Sequence, residues 1–426
     1  MTMNRTQKII QLIKQEVVPA IGCTEPVAVA FAVAKATEVL EEIPEKIEVC
    51  LSANVLKNAM GVGIPGTGMI GLPIAVALGA LIGKSEYRLE VLKDLNPEAL
   101  AQGKQMIVDK KISISLKENA PDKLYIEAIV TKGTGTVKVV VCSEHTHVSR
   151  VEKNGEVLFD EPAIPASEEK TESLDLNLEK VYRFALDTPL EEIRFILESA
   201  RLNKAAALSA FKHEYGHSLG KTLVESYERG IMGNSLLPRI LACTSAACDA
   251  RMAGAMIPVM TNSGSGNQGI TATLPVVVYA EETGKSEEAL VRALVLSHLT
   301  VIYIKQSMGR LSALCGCVVA STGSACGITY LMGGGYREIS YAVQNMIANL
   351  AGVICDGAKP SCSLKVSSSV TTALFAAMMA MEGKYVTYVE GIIDKDVDKS
   401  IQNLTRIASE GMNETDKMIL EIMTHK

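Results

Sequence analysis

Lys123-Leu124-Tyr125-Ile126-Glu127-Ala128-Ile129-Val130-Thr131, a turn over Lys132 to Gly135, and the run from Thr136 to Arg150 form the stretch that sets the fold class. Apolar and polar residues alternate on both sides of the turn, the period of two that a half-buried strand requires. Working outward, residues 111–118, 123–131, 136–150 and 156–159 alternate in the same way, with turns at 119–121 and 132–135. The spacing predicts a β-meander. Residues 46–53 add another alternating run, and 4–18 and 26–42 carry helical apolar spacing. Between those two helices, Thr24 reads as an N-cap with Pro26 just inside the helix it opens. The glycine-rich run Gly61 to Gly68 is expected to be a flexible loop leading into an apolar helix over 70–82. Residues 160–177 are acidic and Pro/Ser-bearing and read as a linker. Beyond them the pattern is almost wholly helical. The expected fold is α+β: an N-terminal α/β domain (1–165) with a small antiparallel-rich sheet, then a large all-α catalytic domain (166–426). No internal repeat is evident.

A formal net charge of −6 over 426 residues gives no basic patch for nucleic acid or anionic lipid. The charged, amphipathic start, Met1 to Lys14, lacks the apolar core of a signal peptide, so a cytoplasmic location with reduced thiols is expected. Mean hydropathy is +0.20, and Leu311 to Tyr336 carries no charge and is long enough to span a bilayer. That stretch is rich in Gly, Ser, Thr and Cys, and the chain has no Trp and only 4% aromatic residues. Interfacial aromatic belts cannot be built from such a composition, so buried helices are expected rather than a membrane span.

Ten cysteines are present. Cys50, Cys142, Cys243 and Cys248 lie in apolar or small-residue runs and read as core fillers. One cysteine of Leu314-Cys315-Gly316-Cys317 and the pair closing Cys355-Asp356-Gly357-Ala358-Lys359-Pro360-Ser361-Cys362 are different. Three thiolates gathered by a Gly/Pro-bearing loop make a cage for a soft metal centre and leave one coordination position for substrate. An iron–sulfur cluster is the expected occupant. The non-enzymatic alternative is a structural zinc in a scaffold or sensor, which would need a fourth ligand.

A second feature is Thr261-Asn262-Ser263-Gly264-Ser265-Gly266-Asn267-Gln268-Gly269, uncharged and set in apolar surroundings. It reads either as an ordinary inter-helix connection or as a binding loop. Surface loops usually carry charge, which favours binding. Asn262, Ser263, Ser265, Asn267 and Gln268 then supply donors and acceptors suited to the carboxylate and ammonium of an amino acid. Arg251 and Lys365 are candidate carboxylate partners, or else solvated charges. The same loop is similar to one in pyridoxal-phosphate enzymes, but no strand carries the required lysine ahead of it. Finally, His213-Glu214-Tyr215-Gly216-His217 is a formal H-E-x-x-H. On a helix it would place two imidazoles on one face for zinc. Gly216 weakens that helix and no third ligand is marked, although Glu225 and Glu228 are available.

The run Ile302-Tyr303-Ile304-Lys305-Gln306-Ser307-Met308-Gly309, followed by Gly316-Cys317 and Gly323-Ser324-Ala325-Cys326, resembles the central segment of the iron–sulfur-dependent L-serine dehydratases. The Cys355 to Cys362 loop resembles their cysteine loop. Ile21-Gly22-Cys23-Thr24-Glu25-Pro26 and Gly61 to Thr67 resemble the substrate-side motifs of their smaller domain. The six-residue gap between Cys355 and Cys362, and Cys23 itself, are closer to the L-cysteine desulfidase branch. The resemblance implies a [4Fe-4S] cluster on Cys317, Cys355 and Cys362. It implies that Cys326 packs beside the site without ligating, and it leaves Cys315 without a role. The ending Thr424-His425-Lys426 lacks the cysteine that caps the open iron in some serine dehydratases, which leaves solvent or Cys23 there. It further implies β-elimination of L-cysteine to pyruvate, ammonia and hydrogen sulfide, with serine dehydration as the runner-up. Cys23 is the candidate α-proton base, a thiolate whose pKa a helix start would lower, or alternatively a buried cysteine before a helix. The expected partners are a small amino acid and further copies of this chain, although no residue pattern sets the order of assembly.

Overall fold

The computed structural model describes residues 4–161, 174–309 and 312–425. The acidic linker expected over 160–177 falls mostly outside the described residues. The N-terminal half runs α1 (Arg5–Glu16), β1 (Pro19–Ile21), α2 (Thr24–Leu40), β2 (Lys46–Leu51), α3 (Ala53–Ala59), α4 (Leu72–Ile82) and α5 (Pro97–Val108). Five strands follow: β3 (Ile112–Leu116), β4 (Tyr125–Lys132), β5 (Gly135–Cys142), β6 (Val148–Lys153) and β7 (Glu156–Asp160). After the gap come α6 (Leu178–Asp187), α7 (Leu190–Ile193), α8 (Leu197–Ala210), α9 (Leu219–Glu228) and α10 (Leu236–Met252). The short strand β8 (Pro258–Met260) precedes α11 (Gly266–Glu282), α12 (Glu287–Met308), α13 (Gly316–Leu331) and α14 (Tyr336–Leu350). The chain finishes with α15 (Cys362–Met381), α16 (Val397–Arg406) and α17 (Asn413–Thr424). The fold is α+β, as the alternating and helical patterns require.

The sheet has the order β3-β2-β4-β5-β6-β7. β4 through β7 form the expected meander, each antiparallel to the last. β3 departs from it: β2 lies between β3 and β4, parallel to the first and antiparallel to the second. Alternation shows that 112–116 is a strand but not which edge it takes. The run 136–150 is two strands, β5 and β6, broken by a turn in which Ser143 takes φ +68°. Helix α2, almost entirely buried and built from Ala and Val, packs against β4, β5 and α4. The glycine-rich loop before α4 is not free. Gly63 donates to Met252 O (2.9 Å) and Gly66 to Gly254 O (3.0 Å), pinning it to the helical half.

In the helical half, α13 is enclosed by α11, α12, α14 and α15, which explains the uncharged run without a membrane. Gly323 allows the closest approach, since a Cβ there would collide with the carbonyl oxygen of Ser297 on α12. One described helix, α15, is long and apolar enough to cross a bilayer, and 50% of that window is buried. The halves exchange their ends. Ile9 and Ile13 of α1 lie in the helical core, Leu420 of α17 lies in the sheet core, and β1 pairs with β8.

The second crossing carries a buried ion pair. Lys57 of α3, 1% exposed, pairs with Asp416 of α17, which also accepts from Asn54 Nδ2 at 2.7 Å. Lys57 Nζ donates in addition to Cys355 O at 3.3 Å. Asp416→Ala would strand an ammonium in the interior, a change of roughly 3 kcal/mol. A lowered urea midpoint at unchanged slope is the expected outcome, and a midpoint equal to the parent's would refute it.

Candidate active site

The cysteines expected to act together are far apart in sequence and are assembled by two helix starts. Cys315 is the N-cap of α13 and Cys317 lies in its first turn. Cys362 is the first residue of α15. Cys355 sits in the strand-like segment after α14, where Cys315 N–H donates to Val353 O (2.9 Å) and Cys355 N–H to Ala313 O (2.6 Å). Gly357 shapes the loop between Cys355 and Cys362. Its φ is +88°, and a Cβ would strike the carbonyl oxygen of Lys57. All four sulfurs line one cavity of about 110 Å³. Backbone N–H groups at both helix starts favour negative charge there.

Electrostatics make this a site that asks for a cation. Burial pushes the Cys362 thiol up to about 11 and raises Cys355 as well, so neither ionises readily by itself. Cys315 is the exception, drawn down to about 6 by the hydrogen bond from the Cys317 thiol, against burial and with help from Lys365. Cys317 rises in consequence of that bond and of burial. Soft donors that are hard to ionise without a neighbouring positive charge fit a metal centre. Among the described residues no three His, Cys, Asp or Glu are grouped closely enough to hold a single metal ion. Cys326 stands further along α13, fully buried and away from the cavity, its thiol pushed up to about 12 by burial.

Facing the thiols is the glycine-rich loop. Ser263, Ser265, Asn267 and Gln268 line the cavity. Ser265 is the N-cap of α11 but makes no side-chain capping bond. Asn262 does not face the cavity. Its Nδ2 donates to His298 Nδ1 (3.0 Å) and His298 O (3.1 Å), and its Oδ1 accepts from Ser263 (2.8 Å). His298, held neutral by burial with its pKa lowered to about 3, reaches Thr273 Oγ1 at 3.0 Å with its other nitrogen. Asn262 is thus a strut that shapes the loop, a role that its residue type alone does not reveal.

Cys23 also lines the cavity, but two expectations about its surroundings are corrected. It is itself the N-cap of α2, and Thr24 is the first helical residue, its hydroxyl donating to Glu25 Oε2 (3.0 Å) and Gly264 O (3.2 Å). The thiol is not acidified. Burial raises its pKa, the Glu25 carboxylate raises it further, and Arg251 only partly opposes them. Cys23 Sγ donates to Glu25 Oε2 at 3.0 Å, and Asn58 Nδ2 donates to Glu25 Oε1 at 3.1 Å. Burial works against the Glu25 carboxylate, but His145 and these donors outweigh it and hold the group ionised. Glu25, Asn58 and His145 went unassigned in the sequence. The one available signal was a lone acid inside an otherwise apolar helix start.

The remaining candidates separate cleanly. Lys365 is held by Asp356 and Ile354 O, whereas Arg251 lines the cavity. The H-E-x-x-H segment is not helical. It forms turns after α8, Gly216 takes φ +56°, and Glu214 is engaged by Lys221 and Ser218. The double variant His213→Ala, His217→Ala should keep lyase turnover within about twofold; a larger loss of activity, or zinc bound by the parent and released by the variant, would overturn this.

A thiol-lined cavity faces a polar loop at a helix start within this α+β frame, and the family match supports a serine dehydratase-like lyase. The chain belongs to the serine dehydratase alpha chain family, whose profile matches residues 86–421. It is 67% identical to a UPF0597 protein of Bacteroides thetaiotaomicron over 426 residues, 100% of this chain and 99% of that one. It is 54% identical to a UPF0597 protein of Porphyromonas gingivalis, covering 100% of both, and 46% identical to one of Oleidesulfovibrio alaskensis, covering 98% of both.

Proposed function

We propose that this protein is a [4Fe-4S]-dependent carbon–sulfur lyase acting on L-cysteine. The observation that supports it is the convergence of Cys317, Cys355 and Cys362 with Cys23 and the 263–268 loop on one cavity. Cys317, Cys355 and Cys362 would hold the cluster, with Cys315 beside them. When bound, the cluster supplies a Lewis-acidic iron with a position not filled by protein. The loop orients the amino acid through Ser263, Ser265, Asn267 and Gln268, and the buried walls exclude bulk water. Cys23 accepts the α-proton. Because burial and the Glu25 carboxylate keep it protonated at rest, it acts through its thiolate form, whose fraction grows as pH rises. Loss of the α-proton and of sulfide leaves 2-aminoacrylate. Tautomerisation and addition of one water then give pyruvate and ammonia, so cysteine and water become pyruvate, ammonia and hydrogen sulfide.

Serine dehydration through the same groups is the second reading, favoured by the family match. We place the activity in the cytoplasm, where reducing conditions preserve thiols and cluster, and expect self-association, which light scattering of the purified chain checks. The deciding experiment is purification without oxygen, iron and sulfide counting, and pyruvate assays on L-cysteine and L-serine side by side. Iron-loaded protein that releases sulfide and pyruvate from cysteine faster than it releases pyruvate from serine supports the proposal. Preference for serine establishes the second reading, and protein without iron sinks both.

A further inference from the structure

We propose that Arg251 binds the substrate's α-carboxylate and that the side-chain oxygens of Asn267 and Gln268 receive its ammonium group. This inference rests on the reading of the cavity as an amino-acid site. Arg251 lies at the end of α10, only 4% exposed, yet it lines the cavity. Its Nε meets no hydrogen-bond partner. No ion pair joins it to the nearby acid Asp249, whose Oδ2 accepts from the Gly220 N–H (3.0 Å). A buried guanidinium N–H without an acceptor is unfavourable, so the fold has reason to keep one where an anion arrives.

The loop is shaped around this guanidinium. A Cβ on Gly266 would lie 2.7 Å from Arg251 Cδ and 2.9 Å from Cζ, so glycine at the first turn of α11 is what lets the side chain lie against the helix start. A carboxylate there meets the guanidinium and the free N–H groups of α11 together. The opposite polarity stands alongside. Asn267 Oδ1 and Gln268 Oε1 are buried acceptors with no donor, and both residues line the same cavity. Asn267 Nδ2 is turned to Met252 Sδ at 3.3 Å, which leaves the oxygen as its available atom. The Gln268 amide lies over Gly316, where a Cβ would come within 2.9 Å of Cδ, between Cys315 and Cys317. One guanidinium with an unpartnered Nε–H and two unpartnered acceptors on one small cavity match a zwitterion. A diacid would leave the acceptors unsatisfied, and a simple amine would leave the guanidinium so. The site therefore demands an α-amino acid with both groups free.

The test uses L-alanine, which has both charged groups and no leaving group, and L-alaninamide, which lacks the carboxylate charge. Calorimetric titration of the oxygen-free holoenzyme should show alaninamide binding at least tenfold more weakly than alanine. Arg251→Gln should weaken alanine binding by roughly 10- to 100-fold, with Arg251→Lys in between. KM for the turned-over substrate should rise in the same proportion. Iron and sulfide per chain should stay at the parent level, which separates loss of substrate binding from loss of the cluster. Alaninamide binding as tightly as alanine overturns the proposal without any variant, as does an Arg251→Gln protein whose alanine affinity stays within threefold of the parent's. A parent protein that neither binds alanine nor forms pyruvate fails earlier, and removes the amino-acid reading itself.

Discussion

Cys355→Ala should be colourless when purified without oxygen, with iron and sulfide near zero and turnover reduced by roughly 10³-fold or more. A Lewis-acid centre contributes several kcal/mol of transition-state stabilisation, and each 1.4 kcal/mol is about tenfold in rate. The variant is informative because its backbone should survive. The bonds that seat the segment, Cys355 N–H to Ala313 O and Cys315 N–H to Val353 O, use no side chain. Cys355 is only partly buried, so truncation removes little packing. Iron counting, visible absorbance and a urea midpoint on the same preparation distinguish a missing ligand from a misfolded chain. Turnover retained in Cys355→Ala would refute the ligand assignment.

Cys23→Ala should do the reverse: keep iron, sulfide and colour, and lose about 10³-fold in kcat. The pH dependence separates a base from a packing residue. Burial first, and the Glu25 carboxylate second, raise the Cys23 pKa, so a base of this kind is protonated at neutral pH. Its thiolate fraction, and kcat/KM with it, increases as pH climbs through that raised value. Glu25→Gln removes one of the two raising causes while keeping a side chain of similar shape. The rising limb of kcat/KM should therefore move to lower pH even though the maximal rate falls. A limb that stays in place or moves to higher pH would show that Cys23 is not the group being titrated.

Much of the N-terminal half was legible because one face of its sheet is buried. Ile126, Ala128 and Val130 alternate with Glu127 and Ile129 in β4, and Ile47, Val49 and Leu51 do so in β2, with the period that burial of one face imposes. The loop cysteines stood out as candidates, since three soft donors near Gly and Pro suit a metal where thiols stay reduced. What misled was local reasoning about Cys23. A helix start lowers a thiol's pKa when the thiol is wet, but here desolvation and a carboxylate 3.0 Å away reverse the sign. Asn262 was likewise assigned by residue type, and only its bond to His298 shows it to be a strut.

The amino-acid string alone indicated the alternating runs of the N-terminal half, the helical character of the rest and hence the α+β class, and which side chains have the chemistry to hold a soft metal. Those are properties of period and residue type, set within a few neighbours. Only the tertiary structure decided that β3 lies beside β2, that the terminal helices cross between cores, that four thiols meet Cys23 and Glu25 at one cavity, and that Arg251 is buried with its Nε unpartnered. These depend on which apolar surfaces face one another across tens or hundreds of residues. Burial then sets the charge of each group, and no single stretch of sequence contains that information.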